Sequence, residues 1–331
     1  MKTFLFRTFR FFGWCLVLVL VFVGGLFGWA YVRESSSPES LAPATGRFIQ
    51  ADGLKVFIQE KGPPAGKVVF FVSCNALAWS ESWRNTIDPL AAAGYRVIAI
   101  DLPPFGLTEK AGPEGYNPPA QARRIAAIMD VLQLKKVVLI GHSFGGCATV
   151  ETAFRYTERV EALILLDGAL GLHEPTPPSV VPLSWYMCCR PLNALWGSMT
   201  YANALLTRPG FRYYTAVKSA VTPAKLDMYQ LPLRMRGTSQ AVGDWLAGDL
   251  MVYPHDAAFK DSANYGRFKP PVLLVWGRLD EVTPLAQGED LHRRFVGSQM
   301  VILEGVNHIP QLEDPAKLNS TLLTFLAGLP R

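Results

Sequence analysis

The chain has 331 residues, of which 50% are hydrophobic and 18% charged, whereas an average soluble domain is roughly 25% charged. That balance excludes intrinsic disorder, which needs few apolar residues and much charge. The net charge of +5 includes Lys2, Arg7 and Arg10, all ahead of the first acidic residue, Glu34, so no basic patch points to a nucleic-acid partner.

From Phe11 to Val32 run 22 residues without a charge or a proline. As a helix they reach roughly 33 Å, enough for a hydrocarbon core of about 30 Å. A cleaved secretory signal has a shorter apolar run closely followed by an A-x-A-like site, and here Ala42-Pro43-Ala44 lies well beyond the run. The segment therefore reads as an uncleaved transmembrane anchor. Lys2, Arg7 and Arg10 keep its N-terminus cytoplasmic and place the rest on the outer side.

Residues 35–46, with Ser35-Ser36-Ser37-Pro38, read as a linker. Next comes a hairpin, Arg47–Gln50 and Lys55–Glu60, turned at Asp52-Gly53. Short apolar runs follow at Val68–Val72, Val97–Ile100, Val137–Ile140 and Leu163–Leu166, then at Val272–Trp276 and Met300–Leu303. Helical patterns separate them: Glu81–Ala93, Ala120–Leu132, Phe144–Tyr156, Leu285–Phe295 and Pro315–Leu326. Continuous apolar strands alternating with amphipathic helices predict an α/β fold, a mostly parallel sheet with helices on both faces. The alternation lapses between Gly171 and Lys269, where aromatic and Met-rich segments predict an inserted helical cap. The organisation read from the sequence is residues 1–34 as cytoplasmic tip and anchor, 35–46 as linker, 47–170 and 270–331 as the two parts of the core, and 171–269 as the cap.

Five cysteines without CxxC, and no HExxH, predict neither a disulfide framework nor a bound metal. Residues 61–67, KGPPAGK, have the wrong spacing for a phosphate loop and lack Ser or Thr after the lysine.

The segment Lys136–Cys147 carries strand, G-x-S-x-G and helix in succession, with Ser143 at the sharp turn. A serine hydroxyl needs a base, and the base needs an orienting acceptor. Of the five histidines, His142 is structural, His173 and His255 fall in the insertion, and His292 sits among charges on a helix. His308 follows a strand onto a loop at the carboxyl edge of the sheet, where open α/β folds bind ligands. Asp280 emerges from the preceding strand at the same edge and is the matching acid, with Asp167 in reserve and Asp101 a loop organiser. Trp185, Trp196 and Met199 are candidates to line an apolar pocket.

From about Arg47 to the C-terminus the chain resembles the α/β-hydrolase superfamily, in the group with a helical cap. The likeness rests on Ser80-Glu81-Ser82-Trp83, the run Gly94–Asp101, the turn at Ser143, Gly277-Arg278-Leu279-Asp280 and Val306-Asn307-His308, in the order Ser, Asp, His. Two departures stand out: Ser73-Cys74-Asn75-Ala76 where the family usually has His-Gly, and Asp101-Leu102-Pro103-Pro104-Phe105-Gly106 in place of Asp-x-x-Gly-x-Gly. The resemblance implies oxyanion donors at the backbone N–H of Phe144 and of Asn75 or Ala76, and no cofactor. It implies a Ser-His-Asp esterase or lipase acting on a small, apolar ester. Acyltransferase, peroxidase-like or carbon–carbon bond hydrolase chemistry uses the same triad, and an inactive membrane-tethered binding module is the non-enzymatic alternative.

Overall fold

The computed structural model describes residues 2–73, 78–172, 190–247 and 256–330. Its centre is one eight-stranded sheet: β1 (Gly46–Ala51), β2 (Leu54–Lys61), β3 (Val68–Ser73), β4 (Arg96–Asp101), β5 (Val137–His142), β6 (Val160–Leu166), β7 (Val272–Gly277) and β8 (Gln299–Leu303). Their spatial order is β1-β2-β4-β3-β5-β6-β7-β8. β1 and β2 form the antiparallel hairpin, β2 pairs antiparallel with β4, and every other pairing is parallel. Asp52 and Gly53 both take positive φ, +50° and +72°, as a two-residue hairpin turn requires.

The strands are apolar throughout because both faces are covered. Alternate residues divide between two cores, as the two-residue strand period demands. On one face Val69, Phe71, Val138, Ile140, Ile164 and Val275 meet Ile87 and Leu90 of α3 (Arg84–Ala92) and Leu318 and Leu322 of α12 (Pro315–Ala327). On the other, Phe70, Val72, Leu139, Leu163 and Leu274 meet Ile125 and Met129 of α4 (Pro118–Val131), Val150 of α5 (Gly145–Arg155) and Leu291 of α11 (Leu285–Arg294).

Between β6 and β7 the described chain is helical: α6 (Arg190–Ser198), α7 (Ala204–Tyr213), α8 (Pro223–Gln230), α9 (Thr238–Trp245) and α10 (Ser262–Arg267). α6 and α9 approach through glycines. A Cβ on Gly197 would stand 2.0 Å from the Ser239 carbonyl, and one on Gly243 1.8 Å from that of Asn193. Only a residue without a side chain permits such backbone contact.

The N-terminal helix α1 spans Lys2–Arg33, and its Arg10–Arg33 portion is long and apolar enough to cross a membrane. The segment after it, read from the sequence as a linker, makes contacts both with the chain between β6 and β7 and with the core. Glu34 accepts hydrogen bonds from the Ser239 N–H (2.8 Å) and hydroxyl. Ser36 pairs with the backbone of Arg234 and Arg236, at 3.0 and 3.1 Å. After the short helix α2 (Pro38–Leu41), Leu41 and Ala42 pack against Phe57, Trp79, Leu107 and Met235.

Candidate active site

β5 delivers the chain to Ser143, whose φ of +52° is a left-handed conformation that costs a non-glycine residue on the order of 1–3 kcal/mol. The turn is held by the Ser143 N–H on the Leu166 carbonyl (3.1 Å) and by the Gly146 and Ala169 N–H groups on the Ser143 carbonyl, at 2.8 and 2.9 Å. It also needs small neighbours: a Cβ on Gly141 would lie 2.4 Å from Thr149 Oγ1. The strained serine is thus pushed out where α5 begins, and the first amides of a helix have no acceptor within it.

Two other strand ends bring the partners. The loop after β7 carries Asp280 and the loop after β8 carries His308. His308 Nε2 lies 2.9 Å from Ser143 Oγ, and His308 Nδ1 lies 2.9 Å from Asp280 Oδ2. A carboxylate only accepts, so Nδ1 carries the proton and Nε2 is free to accept from the serine hydroxyl. Asp280 is fixed in turn by the N–H groups of Val282 and Thr283, at 2.8 and 2.9 Å, and by the Thr283 hydroxyl at 2.6 Å. Burial alone would raise the Asp280 carboxyl, but its hydrogen bond and electrostatic interaction with His308, with the Thr283 bonds, hold it below the ordinary value. All three side chains are buried, as a relay in low dielectric should be.

The other residues singled out from the sequence fall as follows. Asp167, also buried and in a left-handed turn (φ +45°), accepts from the Gly277 N–H at 2.7 Å. Burial, and then the charge of Asp280, push its carboxyl well above the usual range. Asp101 accepts from the Ser80 and Leu107 N–H groups at 2.6 and 2.8 Å and ties the loop after β4. His292 meets the Ser298 hydroxyl on the exposed surface. Asn75, Ala76, His173, Trp185 and His255 lie outside the described residues. Among the described residues no group of three His, Cys, Asp or Glu side chains is placed to hold a metal ion.

A cavity of about 60 Å³ opens over Ser143 and His308. Its lining includes Ala78, Phe144, Tyr201, Tyr214, Trp245, Val282 and Ile309, of which Tyr201, Tyr214 and Trp245 come from the chain between β6 and β7. The pocket residues differ from those expected: Trp196 is 51% exposed on α6 and Met199 is partly exposed beyond it, while Tyr201, Tyr214 and Trp245 form the wall. Which face of a cap helix looks inward depends on its neighbours, and helical spacing alone does not say. Trp245 is gripped edge-on by Phe105 and Phe144, with ring centroids 4.9 and 5.0 Å apart.

Sequence reasoning missed what holds His308 in place. Its N–H donates to the Tyr214 carbonyl at 3.1 Å, so His308 is tied directly to the chain between β6 and β7. Glu313 accepts from the N–H groups of Asn307 and Ile309, both at 3.1 Å, and from those of Ala216 and Val217 in the cap. His142 Nε2 donates to the His308 carbonyl at 2.7 Å. The spacing of Asp280 and Thr283, a loop carboxylate with a hydroxyl three residues on, was the one readable signal of this scaffolding.

Burial, and then the nearby His308, depress His142 from 6.5 to about 3. The unfolded chain therefore takes up the extra proton as pH falls from 6.5 towards 3, and the stability that neutral burial provides is lost across that window. In His142→Gln, which keeps a donor towards the His308 carbonyl, the urea midpoint is expected to fall less steeply between pH 6.5 and 4 than in the wild type. An unchanged slope overturns this role for His142.

Comparison with known proteins agrees with the geometry. A family model described as alpha/beta hydrolase fold matches residues 67–315. A 2-hydroxy-6-oxononadienedioate/2-hydroxy-6-oxononatrienedioate hydrolase of Klebsiella pneumoniae is 29% identical over 304 residues, 88% of this chain and 99% of that protein. The protein of the same description in Escherichia coli K12 is 28% identical over 303 residues, with the same coverage. Among solved structures, a meta-cleavage product hydrolase from Pseudomonas fluorescens IP01 superposes with a TM-score of 0.68 at 23% identity, over 86% of this chain and 98% of that one. A membrane phospholipase A superposes with a TM-score of 0.67 at 22% identity over 99% of both chains. At those identities the structures establish likeness of fold. With three quarters of its length matched by the family model, this chain belongs to the α/β-hydrolase-fold family.

Proposed function

We propose that the protein is a serine hydrolase that cleaves small, apolar carboxylic esters at Ser143, beside a membrane to which α1 anchors it. The observation that carries the reading is the hydrogen-bonded series Ser143–His308–Asp280 opening into an apolar cavity. His308 takes the hydroxyl proton as Ser143 Oγ attacks the ester carbonyl, while Asp280 holds the imidazole in the required tautomer and faces the imidazolium that forms. The Phe144 N–H, at the start of α5, receives the developing oxyanion together with a donor at Asn75 or Ala76. His308 then gives the proton to the departing alcohol, and a water activated by the same base releases the acid. No cofactor enters these steps. The basic residues ahead of the apolar run, Lys2, Arg7 and Arg10, keep the N-terminus cytoplasmic and the catalytic domain outside.

A second reading, hydrolysis of a carbon–carbon bond by the same three residues, is favoured by the names of the relatives at 28–29% identity. Those names describe dicarboxylate substrates, which call for cationic partners when buried. Among the described lining residues none is Lys or Arg. The two readings separate on a panel of p-nitrophenyl esters of increasing acyl length set against a 2-hydroxy-6-oxo-dienedioate. Turnover of the esters far above that of the dioate is expected; the reverse order overturns the ester reading in favour of the second.

Trp245 lines the cavity, held in place by Phe105 and Phe144. Trp245→Ala is expected to shift the ester preference towards longer or bulkier acyl groups, raising their kcat/KM relative to acetate about tenfold, the scale of one or two buried methylenes. An unchanged profile of acyl length removes Trp245 from the pocket wall.

A further inference from the structure

The chain leaves α1 with almost no slack. Arg10–Arg33 as a helix of 24 residues spans about 36 Å, which places Arg33 at one face of a bilayer. The next residue, Glu34, is already hydrogen-bonded to Ser239 at the start of α9, and Ser36 is bridged to the Arg234–Arg236 backbone. α1 itself packs on α6, and Ala30 near its end is buried. The cap helices, rather than the sheet, are therefore the part of the domain that meets the membrane first.

Those helices carry the matching chemistry. On α6, Leu192 and Trp196 are 45% and 51% exposed and stand four residues apart, on one helix face. The start of α7 exposes Leu205 (54%) and Leu206 (39%), followed by exposed Arg208 and Arg212. Elsewhere on the described domain Val131 and Val296 stand singly, which is ordinary, and exposed Leu279 and Val282 belong to the loop of Asp280 at the cavity. Charge follows the same division. Residues 190–247 hold seven Lys and Arg against Asp227 and Asp244, and Asp244 is buried under Arg190 and Asn193. An excess of five positive charges in that segment equals the net charge of the whole chain.

We propose that the α6–α7 face of the cap rests on the surface of the membrane that α1 crosses, and that its partner there is anionic phospholipid. Trp196 sits at headgroup depth, where indole rings are favoured, and Leu192, Leu205 and Leu206 enter the acyl boundary. Arg208 and Arg212 reach lipid phosphates. Tyr201, in the five-residue connection between α6 and α7, lines the cavity over Ser143, so a single stretch of chain separates the lipid-facing side from the nucleophile. An ester dissolved in the bilayer then enters beneath the cap without crossing water. This inference rests on the proposed reading of α1 as a membrane anchor and narrows the substrate to a lipid-borne ester.

The test uses the full chain with the photocrosslinking residue p-benzoylphenylalanine in place of Trp196, Leu205, Val296 or Phe22, reconstituted into vesicles of phosphatidylcholine and phosphatidylglycerol. Labelling of each variant by a fluorophosphonate shows that the active site is folded. After irradiation, several-fold more lipid adduct is expected at positions 196 and 205 than at 296, with position 22 in α1 as the reference. The adducts at 196 and 205 should fall several-fold in pure phosphatidylcholine, and likewise in R208E/R212E. Adduct at 22 but none at 196 or 205 above the level at 296 overturns the inference and leaves the anchor standing. Adduct at none of the four overturns the anchor and the inference together. Adducts at 196 and 205 that are indifferent to phosphatidylglycerol overturn the assignment of an anionic partner.

Discussion

Ser143→Ala is expected to lower kcat by about a million-fold and to abolish labelling by a fluorophosphonate, because the base has no oxygen left to deprotonate. The loss should equal that of His308→Ala, and the two together should cost little more than either alone. Groups that act in one proton relay fail as a unit. The fold should survive the serine change. Alanine keeps the Cβ and the backbone bonds to Leu166, Gly146 and Ala169, and the hydroxyl surrenders only its bond to His308. A urea midpoint within experimental error of the wild type, together with lost turnover, is the expected pair of observations. Labelled Ser143→Ala protein, or turnover within tenfold of wild type, rules out Ser143 as the nucleophile.

The meeting of these residues was largely legible because each of Ser143, Asp280 and His308 follows a strand whose burial on both faces leaves a short apolar run. Parallel strands end at one edge, so loops that follow them share a rim wherever they lie in the sequence. Two kinds of feature escaped. The first depends on lateral order: Asp167 is readable as a reserve acid, but only when β6 is known to lie beside β7 does it become a direct neighbour of Asp280, more than a hundred residues away. The second depends on rotation of surface helices, where spacing marks an apolar stripe without saying what it faces. Trp196 and Tyr201 are five residues apart, yet one is half in solvent and the other lines the cavity. The seat of Glu34 on Ser239 combines both difficulties, since a Ser-rich, Pro-containing segment looks the same whether it hangs free or is pinned.

Asp280→Asn is expected to reduce kcat/KM by about ten-thousand-fold at neutral pH, because an amide cannot both fix the Nδ1-protonated tautomer and face an imidazolium. Asp167 sits close by and makes this the sharper test of the site. If Asp167 were the operative acid, Asp280→Asn would cost little and Asp167→Asn would carry the loss. The hydrogen bonds argue for the opposite order: His308 Nδ1 is bonded to Asp280, while Asp167 accepts from the backbone of Gly277. Asp167→Asn should therefore cost about tenfold or less, since an amide of the same shape still accepts from the Gly277 N–H and leaves the His308–Asp280 bond in place. Stability supplies an independent reading. The folded protein holds the Asp167 proton that the unfolded chain releases once pH rises past the ordinary carboxylate range, so the wild type loses stability as pH climbs through and above about 4. The amide does not titrate, and Asp167→Asn should have the higher urea midpoint at pH 7, an advantage that shrinks towards pH 3. A variant that is less stable at pH 7, or one that loses activity on the scale of Asp280→Asn, reverses the assignment of the two acids.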